Sequence, residues 1–147
     1  MKNHLKSMTA AEIGQVLKEL GQPAFRAKQV YTWLHKGVRS YEEMTNIPKS
    51  LVEKCKQNYE YTSVKEVMVQ TSAIDGTKKF LFELPDGNLV ESVWMKYHHG
   101  NSVCISSQVG CKMGCKFCAS TLGGLIRNLS AGEILAQILA VNALHKE

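Results

Sequence analysis

Residues 104–118 read Cys104-Ile-Ser-Ser-Gln-Val-Gly-Cys111-Lys-Met-Gly-Cys115-Lys-Phe-Cys118, placing four of the chain's five cysteines within fifteen positions. Cys111, Cys115 and Cys118 fall within eight residues, and Gly110 and Gly114 loosen the backbone around them, so one short loop can aim all three sulfurs at a single centre. Ahead of the loop, Val103 to Ser106 reads as a β-strand. Behind it, Ser130 and Glu133 form a capping box, from which Ile134, Leu135, Ile138 and Leu139 open an amphipathic helix running almost to Glu147. The order strand, ligand loop, helix is that of the first unit of a parallel α/β structure. A lone βα unit leaves a strand edge and a helix face unburied, so the natural protein is expected to continue past Glu147.

Upstream of the loop the pattern is β. A run from Val64 to Thr71 meets an Asp75-Gly76 turn, Lys78 to Leu84 meets an Asp86-Gly87 turn, and Leu89 to Met95 ends in a polar turn through His98, His99 and Gly100. Asp-Gly between β-rich runs is a hairpin signal, so the segment predicts a meander. Further upstream, Thr9 and Glu12 make another capping box, and Ile13, Val16, Leu17 and Leu20 recur at helical spacing until Gly21. Pro23 opens a second helix with Phe25, Val30, Trp33 and Leu34 on one face, closed by Gly37. A third follows Pro48 with Leu51, Val52 and Cys55. The expected organisation is a helical accessory domain at 1–60, a β-meander linker at 61–100 and a final segment at 101–147 that carries the cysteine loop. The fold class is α+β leading into the first βα unit of a partial α/β barrel.

Composition narrows the setting. With 147 residues, 44% of them hydrophobic, the chain can bury a core, yet no stretch approaches the roughly 20 apolar residues of a membrane span. The start, Met1-Lys2-Asn3-His4-Leu5-Lys6, lacks the apolar run of a secretory signal, so the expected location is the cytoplasm, with no membrane partner. In a reducing compartment a cysteine cluster points to metal or redox chemistry. The net charge of +5 permits a polyanionic partner without requiring one. Thiolates bind iron–sulfur clusters and zinc alike. A structural zinc wants four ligands, the nearest further ones being Cys104, His98 and His99; three cysteines on a four-iron cluster leave one iron open. The residues by themselves leave both alternatives standing.

The CxxxCxxC spacing resembles the signature of radical S-adenosylmethionine enzymes. The longer pattern resembles one branch, the RlmN and Cfr adenosine methyltransferases. It comprises Val90-Glu91-Ser92-Val93, the run from Cys104 to Cys111, Gly123-Gly124, Arg127-Asn128-Leu129, Phe25-Arg26-Ala27-Lys28-Gln29 and Met44-Thr45-Asn46-Ile47-Pro48. The resemblance implies a 4Fe-4S cluster on Cys111, Cys115 and Cys118, with S-adenosylmethionine on the open iron. It also implies methyl transfer to C2 of adenosine in ribosomal RNA, and in transfer RNA, through a methylcysteine and a transient disulfide. In that scheme Glu91 matches a proton acceptor, and Cys104 matches the cysteine that closes the disulfide. An electron donor such as flavodoxin or ferredoxin is implied too. The methyl-carrying cysteine is expected beyond Glu147, so this chain alone should not complete the reaction. A Cfr-type C8 reaction is the nearest alternative, and Val109 stands where a Cfr cysteine is expected. A non-catalytic zinc-stabilised RNA-binding module is the alternative of a different class.

Other polar residues have plainer readings. Cys55 is expected to be a buried, inert thiol. Glu91 alone would read as a solvent-facing strand carboxylate, and His98 and His99 as polar surface. Phe25 and Trp33 read as core. Arg26, Lys28, Lys36 and Arg39, spread around the second helix, are candidates for RNA phosphate contact.

Overall fold

The computed structural model describes residues 3–145, and the chain falls into two units, Met1–Ser63 and Val64–Glu147, each with its own core. In the first, a two-residue strand, β1 (Asn3–His4), pairs in parallel with β2 (Tyr59–Glu60), joining the start of the unit to its end. The hydroxyl of Thr9 accepts the Glu12 N–H and the Glu12 carboxylate accepts the Thr9 N–H, so the expected capping box starts α1 (Ala10–Glu19). Then come α2 (Phe25–Leu34) and α3 (Lys49–Asn58). Leu5, Ile13, Leu17, Val30, Leu34, Leu51 and Cys55 make the core between them. Lys6 is buried with them; its ammonium donates to the Thr62 carbonyl at 2.5 Å and lies over the Tyr61 ring, and burial lowers its pKa to about 8.

Phe25 departs from expectation. It is 57% exposed, alongside the Arg26 guanidinium, because the inward stripe of α2 runs through Val30 and Leu34 and residue 25 falls off it. Trp33 does pack against the core, with its indole N–H donated to Asn46. Cys55 is buried as expected, and burial pushes its thiol up to about 11.

The second unit is built on an antiparallel meander of β3 (Lys65–Thr71), β4 (Lys78–Glu83), β5 (Leu89–Tyr97) and β6 (Gly100–Cys104). Both Asp-Gly turns form where expected, with Gly76 and Gly87 at φ 73° and 85° and each aspartate accepting the backbone N–H two residues on. The last strand ends at Cys104, earlier than the expected Ser106. One face of the sheet carries Phe80, Phe82, Val90, Ser92 and Trp94 inward; Phe80 and Phe82 stack at 5.6 Å. That face shares a core with Val109, Leu129 and Val141, so the meander is the wall on which the later segments are mounted. Those are β7 (Gln108–Gly110), β8 (Leu125–Asn128) and α4 (Ala131–His145).

Ser130 and Glu133 cap α4 as expected, but its buried stripe differs. Glu133, Ala136, Gln137 and Val141 face inward, and Ile138 is 40% exposed. The helix is apolar on nearly every side, so hydrophobicity alone could not choose the face; hydrogen bonds from Gln137 do. The expected continuation of this helix towards Glu147 lies outside the described residues. No described helix is long and apolar enough to cross a membrane.

Candidate active site

The cysteine loop leaves and returns through a narrow neck. There β7 pairs antiparallel with β8, with Gln108 opposite Asn128 and Val109 opposite Arg127, and the Cys111 N–H closes onto the Gly124 carbonyl at 3.1 Å. Gly110 lies at φ 74°, and a Cβ there would sit 2.0 Å from the Gly124 oxygen, so only glycine fits. Inside the loop the Cys118 N–H bonds the Cys115 carbonyl, and the Thr121 hydroxyl lies within reach of the Cys115 and Cys118 carbonyls at 3.0 and 2.8 Å. The Met113 N–H donates to the Cys111 sulfur at 3.5 Å.

Cys111, Cys115 and Cys118 are all free and half-buried, whereas Met113 and Phe117 stand out in solvent. Among the described residues no three His, Cys, Asp or Glu side chains are gathered tightly enough to hold a metal ion. Cys104, His98 and His99 do not complete a set with the loop. The donor chemistry nonetheless fits a group ligated by three thiolates. Three free thiols share one ring, with Gly114 at φ 68° as a flexible point between two of them.

The sheet brings the other two site residues together. Val93 pairs with Cys104 across β5 and β6, and Glu91 is two residues from Val93, so Glu91 and Cys104 share the outer face as diagonal neighbours. Both are exposed. Lys79 on β4 lies on that face as well, its ammonium 3.5 Å from the Glu91 carboxylate. Sequence reasoning passed over Lys79, although two strands with a known register would have aligned it. Gln137 was missed also; its signal was a glutamine four residues after Glu133 on a helix otherwise rich in apolar residues.

Behind the neck, Arg127 spans two carboxylates. Its Nε donates to Asp86 at 2.7 Å, and Nη1 and Nη2 donate to the two oxygens of Glu133 at 2.9 and 2.7 Å. Arg127 holds the Asp86 carboxyl down at about 2. Burial works to raise Glu133, but the Arg127 hydrogen bonds and the Ser130 N–H outweigh it and leave the group lowered.

In the first unit the four basic candidates have different surroundings. Arg26 is turned inward onto Gln29 and the Asn46 carbonyl, Lys36 lies over the Trp33 ring, and Lys28 and Arg39 are exposed. Arg26 and Lys28, two residues apart, project from different sides of α2.

Residues 3–60 match the family model described as the ribosomal RNA large subunit methyltransferase N-terminal domain. The whole chain is similar to a crystal structure of a radical SAM methyltransferase from Sphaerobacter thermophilus. The TM-score is 0.88 at 36% identity, covering 98% of this chain and 42% of that one. The fold is thus that of the matching two-fifths of a radical SAM methyltransferase. Among curated relatives, a probable dual-specificity RNA methyltransferase RlmN from Clostridium botulinum is 55% identical over 141 residues, 96% of this chain and 40% of its own length. One of the same description from Lachnoclostridium phytofermentans is 54% identical over 147 residues, covering 99% of this chain and 41% of the relative. The chain is thus similar to RlmN methyltransferases along nearly all of its own length and spans about two-fifths of the length of these relatives.

Proposed function

We propose that this chain carries the cluster-binding and proton-handling part of an enzyme that methylates C2 of adenosine in 23S ribosomal RNA, with transfer RNA as a second substrate. The observation that carries the reading is three free thiols on one loop, closed by the Cys111–Gly124 backbone hydrogen bond, in the same unit as an exposed glutamate–cysteine face. An sp2 ring carbon of adenine is too weak a nucleophile for ordinary polar methylation, which favours a radical route. Cys111, Cys115 and Cys118 would hold a 4Fe-4S cluster, which would supply one-electron chemistry towards S-adenosylmethionine with electrons from a flavodoxin- or ferredoxin-type donor.

The chain's own residues do the rest of what is proposed here. The neck at Gly110 and Gly124 keeps the three thiols on one ring. Glu91, acceptor-only when ionised, takes a proton at its carboxylate oxygen, and Lys79 orients that carboxylate. Cys104, diagonal to Glu91, attacks the sulfur of the methyl-carrying cysteine and forms a transient disulfide as the bond from that sulfur to the transferred carbon breaks. The electron pair of that bond leaves with the carbon, which is then protonated to the product methyl group. Lys28 and Arg39 offer phosphate contacts from the helical unit, and Arg26 and Lys36 are the remaining candidates. The setting is cytoplasmic, where thiols stay reduced.

The test is anaerobic reconstitution of the chain with iron and sulfide, read by absorption and electron paramagnetic resonance. The expected result is a reducible four-iron cluster that is lost in Cys111→Ala, Cys115→Ala or Cys118→Ala. Stoichiometric zinc with no cluster would overturn the reading in favour of a zinc-stabilised RNA-binding module. Mass spectrometry of RNA treated with the full-length enzyme separates C2 from Cfr-type C8 methylation.

A further inference from the structure

Strand β6 does not simply end after Cys104; it is transferred from the sheet to a helix. By the register that pairs Val93 with Cys104, Ser106 would stand opposite Glu91. There the ladder is replaced by a side chain, because the Ser106 hydroxyl donates to the Glu91 carbonyl at 2.6 Å. The Ser106 backbone turns instead to Gln137 of α4. The Ser106 N–H donates to Gln137 Oε1 at 2.9 Å, and Gln137 Nε2 donates to the Ser106 carbonyl at 2.8 Å. The same Oε1 accepts the Ser92 hydroxyl at 2.9 Å, and the same Nε2 donates to the Glu133 carbonyl at 3.3 Å. All four hydrogen-bonding capacities of the carboxamide are therefore used, at a side chain with no exposed surface.

A buried amide on a helix interior is costly unless satisfied, and an apolar residue of the same shape would fill the space without that risk. What Gln137 adds over such a residue is directional. It copies the paired N–H and C=O of a neighbouring strand at one residue, Ser106, which lies two positions after Cys104 and five before Cys111. Its other partner, Ser92, adjoins Glu91. We propose that Gln137 is a positioning residue. By gripping Ser106 and Ser92 it holds the Cys104–Glu91 face at a set separation from the three-thiol ring. This rests on the functional reading above for the importance of that separation; the grip itself does not.

The test uses Gln137→Met, close in shape but unable to pair with Ser106, in the 147-residue chain followed by residue-resolved amide hydrogen exchange. The exchange of β4–β5 amides reports whether the unit stays folded. The expected result is exchange at Ser106 faster by about tenfold to a hundredfold, with β4–β5 protection kept. Alkylation of Cys104 by iodoacetamide, at the freed strand end, is expected to speed up while that of buried Cys55 does not change. Unchanged Ser106 exchange would overturn the proposal. So would uniform loss of protection across the unit, which would make Gln137 a packing residue only. Failure of the functional reading has a different sign, the absence of a cluster in the unaltered chain.

Discussion

Replacing Arg127 with Met removes one guanidinium and leaves two carboxylates behind, in unequal surroundings. The Glu133 side chain is only 8% exposed and would keep the Ser130 N–H and hydroxyl as its neighbours; Asp86 is 42% exposed and would return to water at little cost. Stranding a fully buried partner costs about 3–5 kcal/mol, and exposed pairs contribute about 0–1 kcal/mol. Because Arg127 is itself 31% exposed, the buried figure must be discounted. The expected loss is about 2–3 kcal/mol for Arg127→Met, less for Arg127→Lys, and under about 1 kcal/mol for Asp86→Asn. Glu133→Gln in the Met background should recover much of the loss, a coupling of about 1.5 kcal/mol or more. Both carboxyls sit below their ordinary values, so their stabilisation is present above pH about 4–5 and is lost as pH falls towards 2; the Arg127→Met penalty must shrink over that interval. Urea unfolding followed at Trp94, in a Trp33→Phe background that silences the first unit, measures each term. Additive single and double variants, or a penalty that does not change between pH 6 and pH 3, would refute the argument.

Three further outcomes follow from the geometry. Gly110→Ala should open the loop neck, since its Cβ would collide with the Gly124 carbonyl; loss of Cys111 amide protection and of iron uptake, against near-normal β4–β5 exchange, checks it. Lys6→Met should stabilise the helical unit at pH 7 by no more than about 1 kcal/mol, because relief of the cation's burial is offset in part by loss of its hydrogen bond to the buried Thr62 carbonyl and its contact with the Tyr61 ring. With its folded pKa lowered to about 8 from 10.5, the Lys6 penalty is complete below pH 8 and is relieved as pH rises towards 10.5, so the difference between the two proteins in thermal unfolding should narrow over that range. Cys55 should resist alkylation at pH 8 in the native chain while the four other cysteines react, as mass spectrometry of iodoacetamide-treated protein would show.

What the sequence disclosed was what short-range chemistry decides. The capping boxes at Thr9 and Ser130, both Asp-Gly turns and the cysteine spacing are read within a few residues, and the structure contains each. Features set by distant partners were not legible. The pairing of β1 with β2 joins residues more than fifty positions apart, and neither strand is long enough to carry an alternation. The β7–β8 neck is three or four residues a side, and its signature is a pair of glycines that also suit an open loop. On α4 the apolar residues occupy so much of the circumference that Ile138 and Val141 were equivalent by composition; only the partners of Gln137 distinguish them. Within the site, Cys104 and Glu91 were named from resemblance. Their common face became visible only once the register of β5 on β6 was known.

The neck at Gly110 and Gly124 also has a consequence for metal capture. Tying residue 111 to residue 124 makes the intervening chain a ring, and three sulfurs on so small a ring meet one another at an effective concentration on the order of millimolar or above, whatever the protein concentration outside. Part of the chain entropy of bringing three ligands together is thus spent during folding, and the final convergence of the sulfurs is left to whatever they bind. On the proposed reading, the loop's affinity for a cluster depends on a closure with no sulfur in it, and a defect in that backbone clasp would present as weak metal binding in a protein with every cysteine intact.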